Sequence, residues 1–386
     1  MPKKFQQLLP LQQTTIETPP LLRGRGRALL PIFAFIALLH ALGWGTLTLF
    51  VAPLHLSVGS KAFGIGVGLT AYTLGMRHAF DADHIAAIDN TTRKLVGEGK
   101  AAGAVGFWFS LGHSTIVFGL TLLVALGVHT IASRIGRADS PFHALTGIIG
   151  TGISGIFLFL IAGFNLVTLV DVLKAFKRLR RGQYDNASLE TLLDGRGFIN
   201  RLLAPFMKII RKPTQMFVVG LLFGLGFDTA TEIALLVLTG SSATSGLPWY
   251  AILCLPVLFA AGMLFFDTLD GSFMTVAYGW ALDRPVRKIY YNIVVTALSI
   301  AVAMFIGSLE IISLFHGSLD FHIGILNSLV GLDLSQLGFA IVAMFIATWL
   351  VSVVIWKVGR VEQKWTPAER RTATAPTESF ASHSQE

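Results

Sequence analysis

The stretch Gly75-Met76-Arg77-His78-Ala79-Phe80-Asp81-Ala82-Asp83-His84-Ile85-Ala86-Ala87-Ile88-Asp89-Asn90 sets two histidines and three aspartates into an otherwise apolar segment. In water such a cluster could be an ordinary charged helix face. In hydrocarbon it is costly, and ionisable residues there face a bundle interior or a hydrated path. The reading of this stretch therefore turns on whether the chain lies in a membrane.

Composition points to a membrane. The chain has 386 residues, 53% of them hydrophobic and 13% charged, against about 25% charged in ordinary soluble domains. A spanning helix needs roughly 20 apolar residues. Eight stretches qualify, near 31–53, 63–90, 103–128, 145–175, 214–240, 248–275, 290–315 and 336–357. Runs of helical length argue against a β-barrel, whose strands are about ten alternating residues each. The expected fold is an all-α polytopic membrane protein with eight transmembrane helices.

The net charge of +8 suggests nucleic acid at first sight, but its distribution does not. Of the 30 Lys and Arg, 25 fall before the first span, in 91–102, in 177–213, in 281–289 and from 357 onward. The alternate loops hold Lys61, Arg134 and Arg137. Positive charge marks the cytoplasmic side. Both termini are thus expected inside, in agreement with an even number of spans. The second span then runs from outside to inside. The chain divides into a cytoplasmic tail (1–30), four spans (31–175), a basic cytoplasmic loop (176–213), four more spans (214–357) and a second tail (358–386) that is polar and expected to be disordered.

Cys254 is the single cysteine, so neither a disulfide framework nor a zinc ribbon is available. The apolar run after residue 30 is too long for a cleavable signal peptide. No Lys is followed by Ser or Thr, which removes a Walker A loop, and neither His-Glu-x-x-His nor Gly-x-Ser-x-Gly occurs. An enzyme, an ATPase and a nucleic-acid binder are not expected, and no ATPase subunit is evident in the chain.

Other spans carry polar residues that could meet the opening stretch. The first has His40, and the third has His113 within Phe109-Ser110-Leu111-Gly112-His113-Ser114. The fifth has Asp228 and Glu232, four apart and hence on one helix face. The sixth has Asp267 and Asp270. Read as one continuous helix, the second span steps His78, Asp81 and His84 along one side, with Asp83 turned away. Imidazole nitrogen with carboxylate oxygen suits borderline divalent metals such as Ni, Co, Zn or Fe(II). Proton or sodium coupling and a purely structural ion-paired network remain open on spacing alone. Phe80-Asp81-Ala82-Asp83-His84-Ile85 also echoes Phe227-Asp228-Thr229-Ala230-Thr231-Glu232-Ile233 with one residue inserted, in spans of opposite direction. That is the pattern of an inverted repeat.

Four ordered motifs then carry a resemblance. Arg77-His78-Ala79-Phe80-Asp81-Ala82-Asp83-His84-Ile85 resembles the second-span signature of the nickel/cobalt transporter (NiCoT) family of single-component permeases. The stretch 109–114, Leu225-Gly226-Phe227-Asp228-Thr229-Ala230-Thr231-Glu232 and Asp267-Thr268-Leu269-Asp270-Gly271 are similar to its other motifs. The resemblance covers roughly 31–357. It implies eight spans, both ends cytoplasmic, and secondary uptake of Ni²⁺ or Co²⁺ across the cytoplasmic (inner) membrane, with the metal as substrate and no cofactor. It implies His78, Asp81, Asp83, His84, His113, Asp228, Glu232, Asp267 and Asp270 as metal-handling positions, and His40 as a selectivity position. Related efflux proteins carry a histidine-rich loop, whereas residues 176–213 contain no histidine, which favours import. The alternatives are a nickel/cobalt exporter and a membrane metal-dependent enzyme or sensor.

Overall fold

In this computed structural model, the structure describes residues 25–58, 60–126, 141–180, 210–225, 230–281, 285–319 and 334–358. The expected N-terminal tail up to residue 24, the C-terminal tail after Val358, most of the 176–213 loop, and Asp228 fall outside the described residues, whereas 25–30, expected in the tail, begin the first helix. Helices dominate. They are α1 (Arg25–Gly45), α2 (Ile65–Ala79), α3 (Ala82–Gly97), α4 (Val105–Ala125) and α5 (Pro141–Arg180) in the first half. The second half has α6 (Met216–Phe223), α7 (Ala230–Thr244), α8 (Trp249–Ala281), α9 (Pro285–Leu319) and α10 (Leu334–Val358). A π-helical turn extends α1 over Thr46–Val51, and a two-residue hairpin follows, Ser57–Val58 against Lys61–Ala62.

Among the described residues, five helical stretches are long and apolar enough to cross a bilayer: Leu29–Leu54, Val105–Ala125, Gly147–Lys174, Trp249–Gly279 and Ile293–Phe315. They coincide with the first, third, fourth, sixth and seventh expected spans, so the chain is a multi-pass, all-α membrane protein. Leu30, Leu42, Leu49, Ile156, Phe305 and Val354 are among many large apolar side chains exposed on the bundle's outside, where lipid would cover them.

The second span differs from the expectation. It is not one helix. α2 stops at Ala79, Phe80 adopts φ −93°, ψ 10°, and Asp81 is extended at φ −66°, ψ 143° before α3 starts. The amides of Phe80 and Asp81 bond back to the carbonyls of Arg77 and His78, closing the end of α2 tightly. Asp81 is a natural residue to begin a helix, but its carboxylate does not cap α3 and turns to His78 instead. From α10, Gly338 packs against the Phe80 carbonyl at the break, where no Cβ could be accommodated. Over the fifth expected span, α6 ends at Phe223, with Gly224 and Leu225 in a turn, and α7 begins at Ala230.

α3 explains how a polar segment exists here. It carries Asp83, His84, Asp89, Asn90, Thr91, Thr92, Arg93 and Lys94, and all but Asp83 are buried. The helix lies inside the bundle, packed by α4, α5, α8, α9 and α10, and does not face lipid. Its own apolar residues, Ile85, Ile88 and Leu95, join a core with Phe109, Phe223, Val302 and Ile306.

Close helix crossings set the site's geometry. α2 meets α8 at Gly75, where an added Cβ would stand 2.0 Å from the Phe259 carbonyl oxygen, and at Gly262, 2.6 Å from that of Tyr72. α4 meets α6 in the same way, with Gly112 at 2.0 Å from the Phe217 oxygen and Gly220 at 1.9 Å from the Phe109 oxygen. Bare backbone at these points lets the helices touch. Gly75→Ala is therefore expected to destabilise the detergent-solubilised protein by about 1–3 kcal/mol, an overpacking effect. Gly66→Ala, on the same helix with no atom within 4 Å, is the control. Equal melting temperatures for the two variants would contradict this packing.

Candidate metal site

Three histidines from three helices converge. His78 sits in the last turn of α2, His84 in the first turn of α3, and His113 mid-way along α4. One ring nitrogen from each lies within 4.8 Å of the others, and all three are buried. The break at Phe80-Asp81 is what permits this. It separates His78 from His84 by a bend and not by two turns of one rigid rod, so both rings face His113, with ring centroids 4.5–4.8 Å apart.

The carboxylates take two kinds of position. His78 Nδ1 lies 2.8 Å from Asp81 Oδ2 and 3.0 Å from Thr231 Oγ. His84 Nδ1 lies 3.2 Å from Asp267 Oδ2, which also accepts a hydrogen bond from the Ser110 hydroxyl. An Nδ1–H donated to a carboxylate fixes the tautomer and leaves the Nε2 lone pair available to a cation. His84 Nε2 is buried and has no hydrogen-bond partner among the described residues. Glu232, in the first turn of α7, places Oε1 2.6 Å from His113 Nε2 and 3.8 Å from His78 Nε2.

His78 Nε2 and His113 Nε2 are 3.0 Å apart. Metal–imidazole bonds of ~2.1 Å meeting at roughly 90–110° put two nitrogens ~3.0–3.4 Å apart, so this spacing matches an edge of a coordination polyhedron. The same pair could share one proton, but the third imidazole and the Glu232 oxygen make a convergent N/O donor set of the kind borderline divalent ions take. Helix ends add to this field. The carbonyl end of α2 is negative, while Asp81 and Asp83 stand at the positive start of α3.

The remaining expected positions divide. Asp83 and Asp270 are half-buried, each with one buried carboxylate oxygen that has no hydrogen-bond partner among the described residues. Both lie within electrostatic reach of Asp267, and Asp83 also within reach of Asp81 and His113, but neither carboxylate joins the group of three converging nitrogens. His40 does not join the cluster. Its Nδ1–H donates to the Ile36 carbonyl at 2.8 Å and its Nε2 lies 3.3 Å from the Tyr72 hydroxyl, with Phe265 packed against the ring. Ser110 and Thr231 are site residues that the sequence reading did not single out. Both stood inside quoted motifs, but a hydroxyl in an apolar helix is not an anomaly in the way a charge is.

The family model described as high-affinity nickel-transport protein (NicO) matches residues 64–355. The chain is 59% identical over 341 residues to the nickel transporter NicT of Mycobacterium tuberculosis, covering 88% of this chain and 92% of that one. It is 42% identical to the nickel transporter NixA of Staphylococcus aureus over 87% of this chain and 96% of the relative. It is 39% identical to the cobalt transport protein NhlF of Rhodococcus rhodochrous over 85% and 92%. No solved structure matches the chain. The matched family is one of transporters and not of enzymes, and the chain belongs to it: it is a member of the high-affinity nickel-transport protein family.

Proposed function

We propose that this protein is a single-component permease that takes up Ni²⁺ or Co²⁺ across the cytoplasmic membrane, with the His78–His84–His113 cluster as its central binding site. The convergence of three buried imidazoles carries the reading. His78, His84 and His113 supply nitrogen ligands and Glu232 an oxygen. Asp81 and Asp267 orient the imidazoles through Nδ1, and Asp83 and Asp270 supply negative charge beside them. Asp228 belongs to the same motif as Glu232 and is assigned with it by family pattern. His40, bonded to Tyr72 on α2, acts on selectivity from a neighbouring position and not as a ligand.

The charge distribution supports eight spans with both ends cytoplasmic. In that count α2 with α3 forms the second span, α6 with α7 the fifth, and α10 the eighth. Two half-helices of 15 and 16 residues reach ~22 and ~24 Å, ample together for a bilayer. The paired breaks, and the matched glycine crossings of α2 on α8 and α6 on α4, support an inverted repeat with the site at its centre.

No ATP is required for inward movement. Two charges crossing an inside-negative potential of about 100 mV gain ~4.6 kcal/mol. In proteoliposomes, nickel accumulation is expected to follow an imposed potassium diffusion potential and to vanish when that potential is clamped at zero. Accumulation independent of the potential would contradict a potential-driven permease.

The role division gives a second expectation. Asp267→Asn removes an orienting carboxylate and is expected to weaken nickel binding about 10–100-fold. His84→Ala, which removes a ligand, is expected to weaken it at least as much. Titration calorimetry on the purified variants measures both, and unchanged affinity in His84→Ala would remove that residue from the site.

A further inference from the structure

Ser110 lies on the face of α4 that meets the site. Gly106, Ser110 and His113 step by four and three residues, which sets them along one side of the helix. At Gly106 an added Cβ would stand 1.9 Å from the Asp267 carbonyl oxygen, so α4 and α8 touch there. One turn on, the fully buried Ser110 hydroxyl donates to Oδ2 of the same aspartate. α4 thus meets Asp267 twice, at its backbone and at its side chain. Beside Ser110, Phe109 packs edge-on against the His84 ring, with centroids 4.7 Å apart. His113, three residues later, faces the other two imidazoles.

Two features set the Ser110 hydroxyl apart. Hydroxyls inside a helix can bond the carbonyl four residues back, and on α4 Thr115 does so to Leu111 and Thr121 to Val117. Ser110 crosses to α8 instead. The carboxylate it reaches is otherwise loosely held. His84 Nδ1 lies 3.2 Å from Oδ2, longer than the usual ~2.9–3.0 Å of an N–H···O bond. Oδ1 is buried and has no hydrogen-bond partner among the described residues. Without the Ser110 hydroxyl, the long contact to His84 would have to fix the carboxylate's direction.

We propose that Ser110 is a positioning residue for nickel binding: its hydroxyl pins the Asp267 carboxylate against His84 Nδ1 and so keeps His84 Nε2 turned to the ion. The proposal rests on the reading of His84 as a ligand. Ser110 acts through Asp267 and touches no ion itself. A carboxylate pinned at Oδ2 holds His84 in its Nδ1–H tautomer, which leaves the Nε2 lone pair for the metal.

The test uses the full chain, purified, with nickel affinity measured by titration calorimetry and the melting temperature measured alongside. Ser110→Ala keeps the Cβ and the helix backbone. It is expected to weaken nickel binding about tenfold, the low end for losing an outer partner of a metal-bound histidine. Thr121→Val, which removes a hydroxyl bonded within α4, is expected to leave affinity unchanged. In an Asp267→Ala background, Ser110→Ala is expected to cost nothing further, because the oxygen it holds is gone. At saturating nickel, X-ray absorption of Ser110→Ala should show weaker imidazole outer-shell scattering than wild type. Wild-type affinity in Ser110→Ala, an equal loss in Thr121→Val, or a tenfold loss that persists in the Asp267→Ala background overturns the proposal. Should Asp267→Ala not fold, undiminished imidazole scattering in Ser110→Ala overturns it. His84→Ala separates the two claims. Wild-type affinity there removes the ligand assignment and the proposal with it. A weakened His84→Ala beside an unchanged Ser110→Ala overturns the role of Ser110 alone.

Discussion

The structure depends on keeping one polar helix out of lipid. α3 brings three ionisable residues, Asp89, Arg93 and Lys94, about one and a half to three turns along the helix beyond His84, together with Asn90 and two threonines. Such a segment is tolerated at membrane depth only where protein or water surrounds it. Five other helices enclose it. The enclosure is met by hydrogen bonds between helices, Asn165 of α5 to Asn90 and Ser299 of α9 and Tyr278 of α8 to Asp89, and by one from Lys94 to the carbonyl of Ile210, ahead of α6. The surrounding apolar helices therefore have two faces. One is a lipid-exposed set of Leu, Ile, Val and Phe, and the other adds hydroxyl and amide residues to the large apolar side chains turned inward.

The same constraint shapes the site. A rigid helix through 75–90 would spread His78 and His84 along one line. Breaking it at Phe80-Asp81 folds the line so that both imidazoles meet His113, and the break gives Asp81 a new role as the partner of His78. Glycine notches then bring α8 and α4 close enough for Asp267 to reach the second imidazole while the Ser110 hydroxyl donates to the same carboxylate oxygen. Ligand nitrogens facing inward, with Nδ1 of His78 and His84 tied outward to carboxylates, are what a site needs if it is to exist before the ion arrives, without a large rearrangement to form it.

Much of this was legible in the sequence because charge in an apolar run is conspicuous. His78, His84, His113, Glu232 and Asp267 could be named from that anomaly, and the long apolar helices α1, α4, α5, α8 and α9 from hydropathy. The break in the second span was not legible. The 3.6-residue period runs on through Phe80-Asp81, and what stops the helix is tertiary, with Gly338 of α10 seated on the Phe80 carbonyl. Nor could spacing tell which acids touch imidazole, since the His78–His113 and His84–Asp267 contacts join residues 35 and 183 positions apart. His40 stood in the sequence reading as a selectivity position, separate from the metal-handling histidines. Its bonds to Ile36 and Tyr72 separate it from them.

The most direct measurement of the central claim is X-ray absorption spectroscopy at the nickel edge on the purified protein loaded with one equivalent of nickel. The account predicts a nitrogen/oxygen first shell without sulfur, and outer-shell scattering from two to three imidazoles that diminishes in His113→Ala. A first shell of oxygen alone, with no imidazole scattering, would contradict it.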